Sequence, residues 1–272
     1  MNKALITGGT GVLGTTLVRA FQQNHLDFLT VSRTGKRTQS YTDVTPITKL
    51  PWKRADLLTG EGLHEALIGV DTVIHLASVP GGRGKEMPEV TMMRHLMEAS
   101  RMRQVQHLIY ISIVGVDRVP LPYYRSKWEA EQLLQASGIP YTILRATQFH
   151  EFVDFMIGQL MRLPIGLVPK KLKIQPISLE AVTHALVQIA EGNAQNRVLN
   201  LGGREVLDMG TMVRLWQQYQ GVSKPILPLP NIGQLMHTIA KGYLTCPENR
   251  ALASTTWEAY LAQQYSTNRL AA

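Results

Sequence analysis

The chain has 272 residues, 44 % of them hydrophobic and 18 % charged, which is enough to bury a full core and typical of one large α/β domain with an appended part. Its net charge of +8 raises nucleic-acid binding, but the basic residues are scattered without an aromatic-interleaved stripe, so no nucleic-acid partner is expected. No apolar run approaches membrane-spanning length and the single cysteine, Cys246, excludes an internal disulfide; a cytoplasmic protein with no cleaved leader and no membrane partner is expected.

The chain opens on an apolar run, Ala4-Leu5-Ile6-Thr7, that stops in glycines and resumes with helical periodicity over residues 12–23. This reads as strand, tight turn and helix. Gly8, Gly11 and Gly14 recur every three residues. Gly8 permits the sharp turn, Gly11 lets backbone approach a pyrophosphate, and Gly14 lets the helix pack closely. The N–H groups around Thr10, Val12 and Leu13 and the helix dipole would then face the phosphates. The GxxGxxG spacing resembles that of the short-chain dehydrogenase/reductase superfamily. That resemblance implies an NAD(P)-binding, doubly wound parallel α/β sheet of the Rossmann type.

Residues 27–32 read as the second strand. NAD-preferring members of such folds carry an acid near its end, which binds the ribose hydroxyls and repels a 2′-phosphate. Here Ser32 and Arg33 stand at that place, followed by Lys36 and Arg37. A hydroxyl and guanidinium groups suit a phosphate dianion, so NADP(H) is the expected cofactor, held by Ser32, Arg33 and Arg37. The alternative is an exposed basic loop. Residues 41–49 lack periodicity, and 52–55 read as a short third strand ending at Asp56-Leu57. In the superfamily such a pair contacts the adenine; otherwise Asp56 starts the turn into a helix at 62–67.

Residues 70–78 form a nearly continuous apolar segment, as expected for a strand covered on both faces. Its wording, Asp71-x-Val73-x-His75-Leu76-Ala77, resembles the fourth strand of extended and atypical members, in which small residues such as Ala77 and Ser78 lie beside the cofactor ribose. His75, inside the strand, reads as a hydrogen-bonded core residue. Residues 79–86 carry Gly81, Gly82 and Gly84 and read as a loop over the site. Residues 89–102 are helical, and the stripe Met92, Met93, Met97 and Met102 reads as packing. The fifth strand, 107–112, ends at Ser112, on the side where ligands collect.

Tyr123 and Lys127 are spaced i,i+4 at a helix start, which places both on one face. The pair matches Tyr-x-x-x-Lys at the superfamily's position. The resemblance implies that Lys127 binds the nicotinamide ribose and lowers the phenol pKa, that Tyr123 exchanges a proton with substrate, and that Ser112 polarises the same oxygen. The bland alternative pairs Lys127 with Glu131 on an exposed face. Only eleven positions separate Ser112 from Tyr123. This short connection, with Ser112-Ile113-Val114-Gly115 and Gly138-Ile139-Pro140-Tyr141, resembles the atypical NmrA-like branch. The resemblance covers residues 1 to about 149 and is looser beyond.

After a sixth strand at 141–144, His150 and Glu151 either orient a substrate or face water at a helix start, and Phe149, Phe152, Phe155 and Met156 suggest an apolar wall. Helices are expected at 179–190, 208–220, 232–240 and 255–262, and a strand at 198–201. Lys170, Lys171 and Lys173 read as a solvated face. The expected organisation is a nucleotide-binding domain from 1–148 with 176–201, and a small C-terminal substrate lid from 149–175 with 202–272. The expected activity is hydride transfer between NADPH and a small apolar carbonyl or quinone-like compound. The alternatives are a non-catalytic NADP(H)-binding sensor or assembly factor, and a sugar-nucleotide epimerase or dehydratase. No metal site is expected.

Overall fold

The computed structural model describes residues 1–33, 50–79, 87–169, 172–229, 233 and 238–269. Lys36, Arg37, the loop at 41–49, residues 80–86, Lys170, Lys171 and most of the helix expected at 232–240 lie outside the described residues.

Strands β1 (Ala4–Thr7), β2 (Phe28–Ser32), β3 (Trp52–Arg54), β4 (Thr72–His75), β5 (His107–Ile113), β6 (Tyr141–Ala146) and β9 (Arg197–Leu201) form one sheet in the order β3-β2-β1-β4-β5-β6-β9. Strand β1 pairs in parallel with both β2 and β4, Leu5 standing opposite Leu29 and Val73. The strand order reverses at β1, so the crevice beyond the carboxyl ends of β1 and β4 is where such sheets receive ligands. Ala4, Leu5 and Ile6 are all fully buried, the signature of a strand covered on both faces. On one face Leu5, Val73, Leu108 and Ile143 pack against α2 (Leu63–Ala66), α3 (Pro88–Met102) and α4 (Pro122–Gln135). Helix α1 spans Val12–Gln23 and buries Leu13, Leu17, Val18 and Phe21.

Several elements differ from expectation. Strand β4 stops at His75 rather than near 78, because its partner β1 ends at Thr7, where Gly8 turns the chain at φ +70°. The Leu76 N–H still reaches the Thr7 carbonyl; beyond it Ala77 and Ser78 have left the ladder. Helix α2 has only four residues. Asp208 caps α7 (Met209–Gln220) rather than lying within it, its carboxylate accepting the Thr211 N–H at 2.8 Å. The last helix, α8 (Trp257–Arg269), runs past 262.

The chain forms two compact units, one from residues 1–117, 121–145 and 182–199, the other from 118–120, 146–181 and 200–272. The second has its own core, in which Val153 and Ile157 of α5 (His150–Leu160) pack with Met212, Val213 and Trp216 of α7 and with Trp257 and Leu261 of α8. The Asp154 carboxylate ties these helices, accepting from Trp216 Nε1 at 2.7 Å, Tyr260 at 3.1 Å and Tyr265 at 2.7 Å. Two short ribbons complete the unit, β7 (Gly166–Val168) with β11 (Ile226–Pro228) and β8 (Lys173–Ile174) with β10 (Leu207–Asp208). Helix α6 spans Leu179–Glu191. Among the described residues, no helix is long and apolar enough to cross a membrane.

Candidate functional site

The turn after β1 is built by sterics. A Cβ on Gly14 would stand 2.0 Å from the Gly8 carbonyl oxygen, and one on Gly8 would meet the Ala77 backbone nitrogen at 2.6 Å. Gly11 is different, because its Cβ would meet only the Gly8 oxygen, at 3.3 Å. The bareness of Gly11 therefore keeps space open in front of the turn. No side chain caps the N-terminus of α1, whose first turn carries no acid. Its unpaired N–H groups and dipole suit a pyrophosphate. The residues present thus fit a dinucleotide, with Thr10, Val12 and Leu13 on the turn.

Beside this turn lies a buried network of charges. Ser78 donates to Glu89 Oε2 at 2.8 Å, and its oxygen lies 2.7 Å from the Tyr123 hydroxyl. Since the single Ser78 proton goes to the carboxylate, Tyr123 is the donor to Ser78. Glu89 Oε1 takes the Lys127 ammonium at 2.8 Å and the Tyr110 hydroxyl at 2.7 Å. Lys127 also donates to the Ile111 carbonyl at 3.0 Å and lies over the Tyr110 ring, 4.6 Å from its centre. Both charged side chains are 3 % exposed or less. Burial alone would push the Glu89 carboxyl up and the Lys127 ammonium down, but each charge overrides this for the other, so Glu89 lies below its ordinary value and Lys127 above. Burial and then Glu89 raise the Tyr110 phenol.

Tyr123, Lys127, Ala77 and Ser78 are thus gathered at one place, and Gly8 abuts it through Ala77. Ser112 is buried at the carboxyl end of β5, and its hydroxyl has no partner among the described residues. The exposed Lys127–Glu131 pairing is not found: Glu131 is fully buried and takes Arg145 in three bonds, at 2.6, 2.9 and 3.2 Å. Ser32 ends β2, and Arg33 follows it in the open. The Asp56 carboxylate accepts the Leu58 N–H at 2.8 Å, so it does serve a turn, with Leu57 half-buried beside it.

Sequence reasoning missed Glu89, reading it only as a helix start. A signal was present: Glu89 lies in helical register with Met93, Leu96 and Ser100, all buried on one face of α3.

His75 is a buried core residue, with Nδ1 2.7 Å from Thr7 Oγ1 and its ring stacked on Tyr110. Burial lowers its pKa from the ordinary imidazole value to about 4. Above about pH 6.5 His75 is neutral whether folded or unfolded. As pH falls from 6.5 towards 4, the unfolded chain takes up the proton first, so stability is lost over that window, by about 3 kcal/mol in full. Replacing His75 with asparagine is expected to flatten the fall in urea midpoint over that window. Comparing variant with parent cancels the opposite slope of Glu151.

In the second unit, His150 is withdrawn from the surface and Glu151 is half-buried. His150 is buried and stacked on Tyr260, with centroids 5.0 Å apart, and burial lowers its pKa to about 4. Burial, with Glu180 and Asp154 nearby, raises Glu151 to about 7. Both line an open pocket of about 130 Å³ with Ser178, Glu180 and Tyr260. The apolar wall is incomplete, Phe152 and Phe155 being exposed on α5. Among the described residues no group of three or more His, Cys, Asp or Glu side chains forms a metal site.

A family model described as NAD(P)H-binding matches residues 8–192, spanning the glycine turn, Glu89, Tyr123 and Lys127. The chain belongs to the NAD(P)H-binding family. Relatives of this NAD(P)H-binding protein include prestalk A differentiation protein A of Dictyostelium discoideum, 28 % identical over 60 % of this chain and 52 % of its own length. Photosystem II assembly factor Ycf39 of Trieres chinensis is 25 % identical over 50 % of this chain and 44 % of its own. The chain spans about half the length of these curated relatives. Among solved structures, an Escherichia coli NADPH-dependent quinone oxidoreductase complexed with NADPH superposes with a TM-score of 0.77 at 18 % identity, covering 96 % of this chain and 99 % of that one. A Staphylococcus aureus nucleoside-diphosphate-sugar epimerase superposes at 0.75 with 21 % identity and the same coverage. The NAD(P)H-binding protein shares their fold.

Proposed function

We propose that the chain is an NADPH-dependent oxidoreductase passing hydride to a small, apolar carbonyl or quinone-like substrate. The observation that carries this reading is the Tyr123 phenol, anchored on the buried Glu89–Lys127 pair through Ser78, whose chain neighbour Ala77 abuts the glycine turn. The bound dihydronicotinamide supplies the hydride. Gly8, Gly11 and Gly14 shape the pyrophosphate site, Ser32 and Arg33 with Arg37 hold the 2′-phosphate, and Asp56 and Leu57 meet the adenine. Ala77 and Ser78 leave room for the ribose, to which Lys127 offers its remaining N–H. Tyr123 gives its proton to the substrate oxygen as that oxygen gains charge, and the Ser112 hydroxyl donates to the same atom. The second unit supplies the substrate lid in this reading.

The test is a titration of the purified protein with NADPH and NADH, then oxidation of NADPH against quinones, aldehydes and ketones. Tighter NADPH binding with turnover is expected; a preference for NADH would overturn the 2′-phosphate assignment. Tyr123→Phe is expected to lower kcat by roughly 10²- to 10⁴-fold, the usual worth of a positioned proton donor, with NADPH affinity unchanged.

One observation favours a second reading, in which the chain binds NADP(H) without turnover and acts on a protein partner. Two of the three Lys127 N–H groups are already engaged by Glu89 and Ile111, and the matched relatives include a photosystem II assembly factor. In that case NADPH binds, no compound on the panel is reduced, and Tyr123→Phe is silent.

A further inference from the structure

Ser32 and Arg33, which meet the 2′-phosphate in the proposed function, stand where β2 ends beside β3. The two strands pair in parallel, Thr30 opposite Trp52, Val31 opposite Lys53 and Ser32 opposite Arg54. The Thr30 N–H donates to the Pro51 carbonyl at 2.8 Å and the Ala55 N–H to the Ser32 carbonyl at 3.2 Å, so the register is held at both ends. Side chains alternate along a strand and opposite residues share a face. Thr30, Ser32, Trp52 and Arg54 therefore stand on one side of the sheet, Val31 and Lys53 on the other.

Each side has its own marker. A Cβ on Gly9 would come within 2.7 Å of Thr30 Cγ2, which puts the Thr30 side against the glycine turn. On the other side Val31 shares a core with Leu63 and Ala66 of α2, and Lys53 Nζ donates to the Glu65 carbonyl at 2.9 Å. Arg54 thus belongs to the side of the glycine turn, one strand spacing, about 5 Å, out from Ser32. Its side chain is exposed, and among the described residues its guanidinium forms no hydrogen bond or ion pair. Asp56, the nearest acid along the chain, turns its carboxylate to the Leu58 N–H at 2.8 Å. An edge strand also uses charge to deter pairing with another sheet, and Lys53 does that as well as Arg54. Only Arg54 does so on the side of the nucleotide.

We propose that Arg54 binds the 2′-phosphate from the third strand and, with Ser32 and Arg33, selects NADPH over NADH. Arg33 follows β2 and Arg54 ends β3, so two adjacent strands each bring a guanidinium to the carboxyl end of the sheet. A planar guanidinium meets a phosphate with two parallel N–H bonds, whereas the 2′-hydroxyl of NADH offers it no charge to pair with. The inference rests on the nucleotide placement proposed above and concerns binding alone, so it holds with or without turnover of a substrate.

The test is calorimetric titration of the whole chain with 2′,5′-ADP and with 5′-AMP, which differ only in the 2′-phosphate. The parent should prefer 2′,5′-ADP, and Arg54→Ala should weaken that ligand by roughly tenfold or more, the worth of a charge-assisted hydrogen bond, with 5′-AMP affinity unchanged. Arg54→Lys should recover part of the loss, since an ammonium keeps the charge but not the fork. Lys53→Ala removes the same charge from the opposite side and should leave the preference intact. A phosphorus NMR titration of bound 2′,5′-ADP should show the 2′-phosphate losing its second proton at lower pH in the parent than in Arg54→Ala, a difference that a merely structural arginine would not make. An unchanged preference in Arg54→Ala would overturn the proposal while the nucleotide site stands. So would an equal loss for both ligands, or an equal loss of preference in Lys53→Ala. A parent that binds neither ligand, or both equally, would instead overturn the nucleotide placement itself, and this role of Arg54 with it.

Discussion

Methionine in place of Lys127 is expected to lower the unfolding free energy by about 3–5 kcal/mol, the usual loss when one partner of a buried ion pair is removed. Three groups lose by the change. Glu89 keeps the bonds from Ser78 and Tyr110 but is left as a buried carboxylate with no counter-charge, and it will take up a proton to escape. The Ile111 carbonyl loses its ammonium donor. The Tyr110 ring loses the cation above it. Exchanging both partners, Glu89→Leu with Lys127→Met, should cost much less than the two single changes summed, because no unpaired charge remains. Urea unfolding of the parent, both single variants and the double variant measures this directly. A loss near 1 kcal/mol for Lys127→Met would mean that solvent reaches the pair and that its burial is not maintained in solution.

The second large effect is expected at the glycine turn. Gly14→Ala forces a methyl group to within 2.0 Å of the Gly8 carbonyl oxygen and 2.8 Å of Gly9 Cα. Both obstacles are backbone, so the turn itself must shift, and with it the N–H groups that face the pyrophosphate. NADPH affinity should fall by about a hundredfold or more, equivalent to about 3 kcal/mol, with a loss of stability of about 1–3 kcal/mol from the strain. Gly11→Ala separates the two effects. Its methyl would meet only the Gly8 oxygen, at 3.3 Å, so thermal stability should stay near the parent's while affinity falls. Equal NADPH affinity in parent and Gly11→Ala would move the nucleotide away from this turn.

Much of the first unit was legible because its signals are local. The expected helix at 12–23 is Val12–Gln23, since glycine spacing before it and apolar period within it act over a single turn of chain. Strand β4 was read too long for a reason the sequence does not hold: its apolar run continues to Ala77, but a strand lasts only as long as its neighbour, and β1 ends at Gly8. The i,i+4 spacing of Tyr123 and Lys127 was likewise plain, and a helix made it.

The sequence by itself determined the parallel α/β class, the glycine turn, the basic end of β2 and the position of the Tyr123–Lys127 pair, all of which rest on rules that operate within a few residues. Only the tertiary structure decided what those side chains touch. Glu89 is separated from Lys127 by 38 positions and Ser78 from Tyr123 by 45, yet burial demands a partner for each polar group and the fold alone determines which one is within reach. It decided also that Glu131 serves Arg145, that His150 is stacked on Tyr260, and that Leu167 lies beside Leu227. Periodicity reports which face of an element is apolar; it does not report which distant element that face, or its one buried charge, will meet.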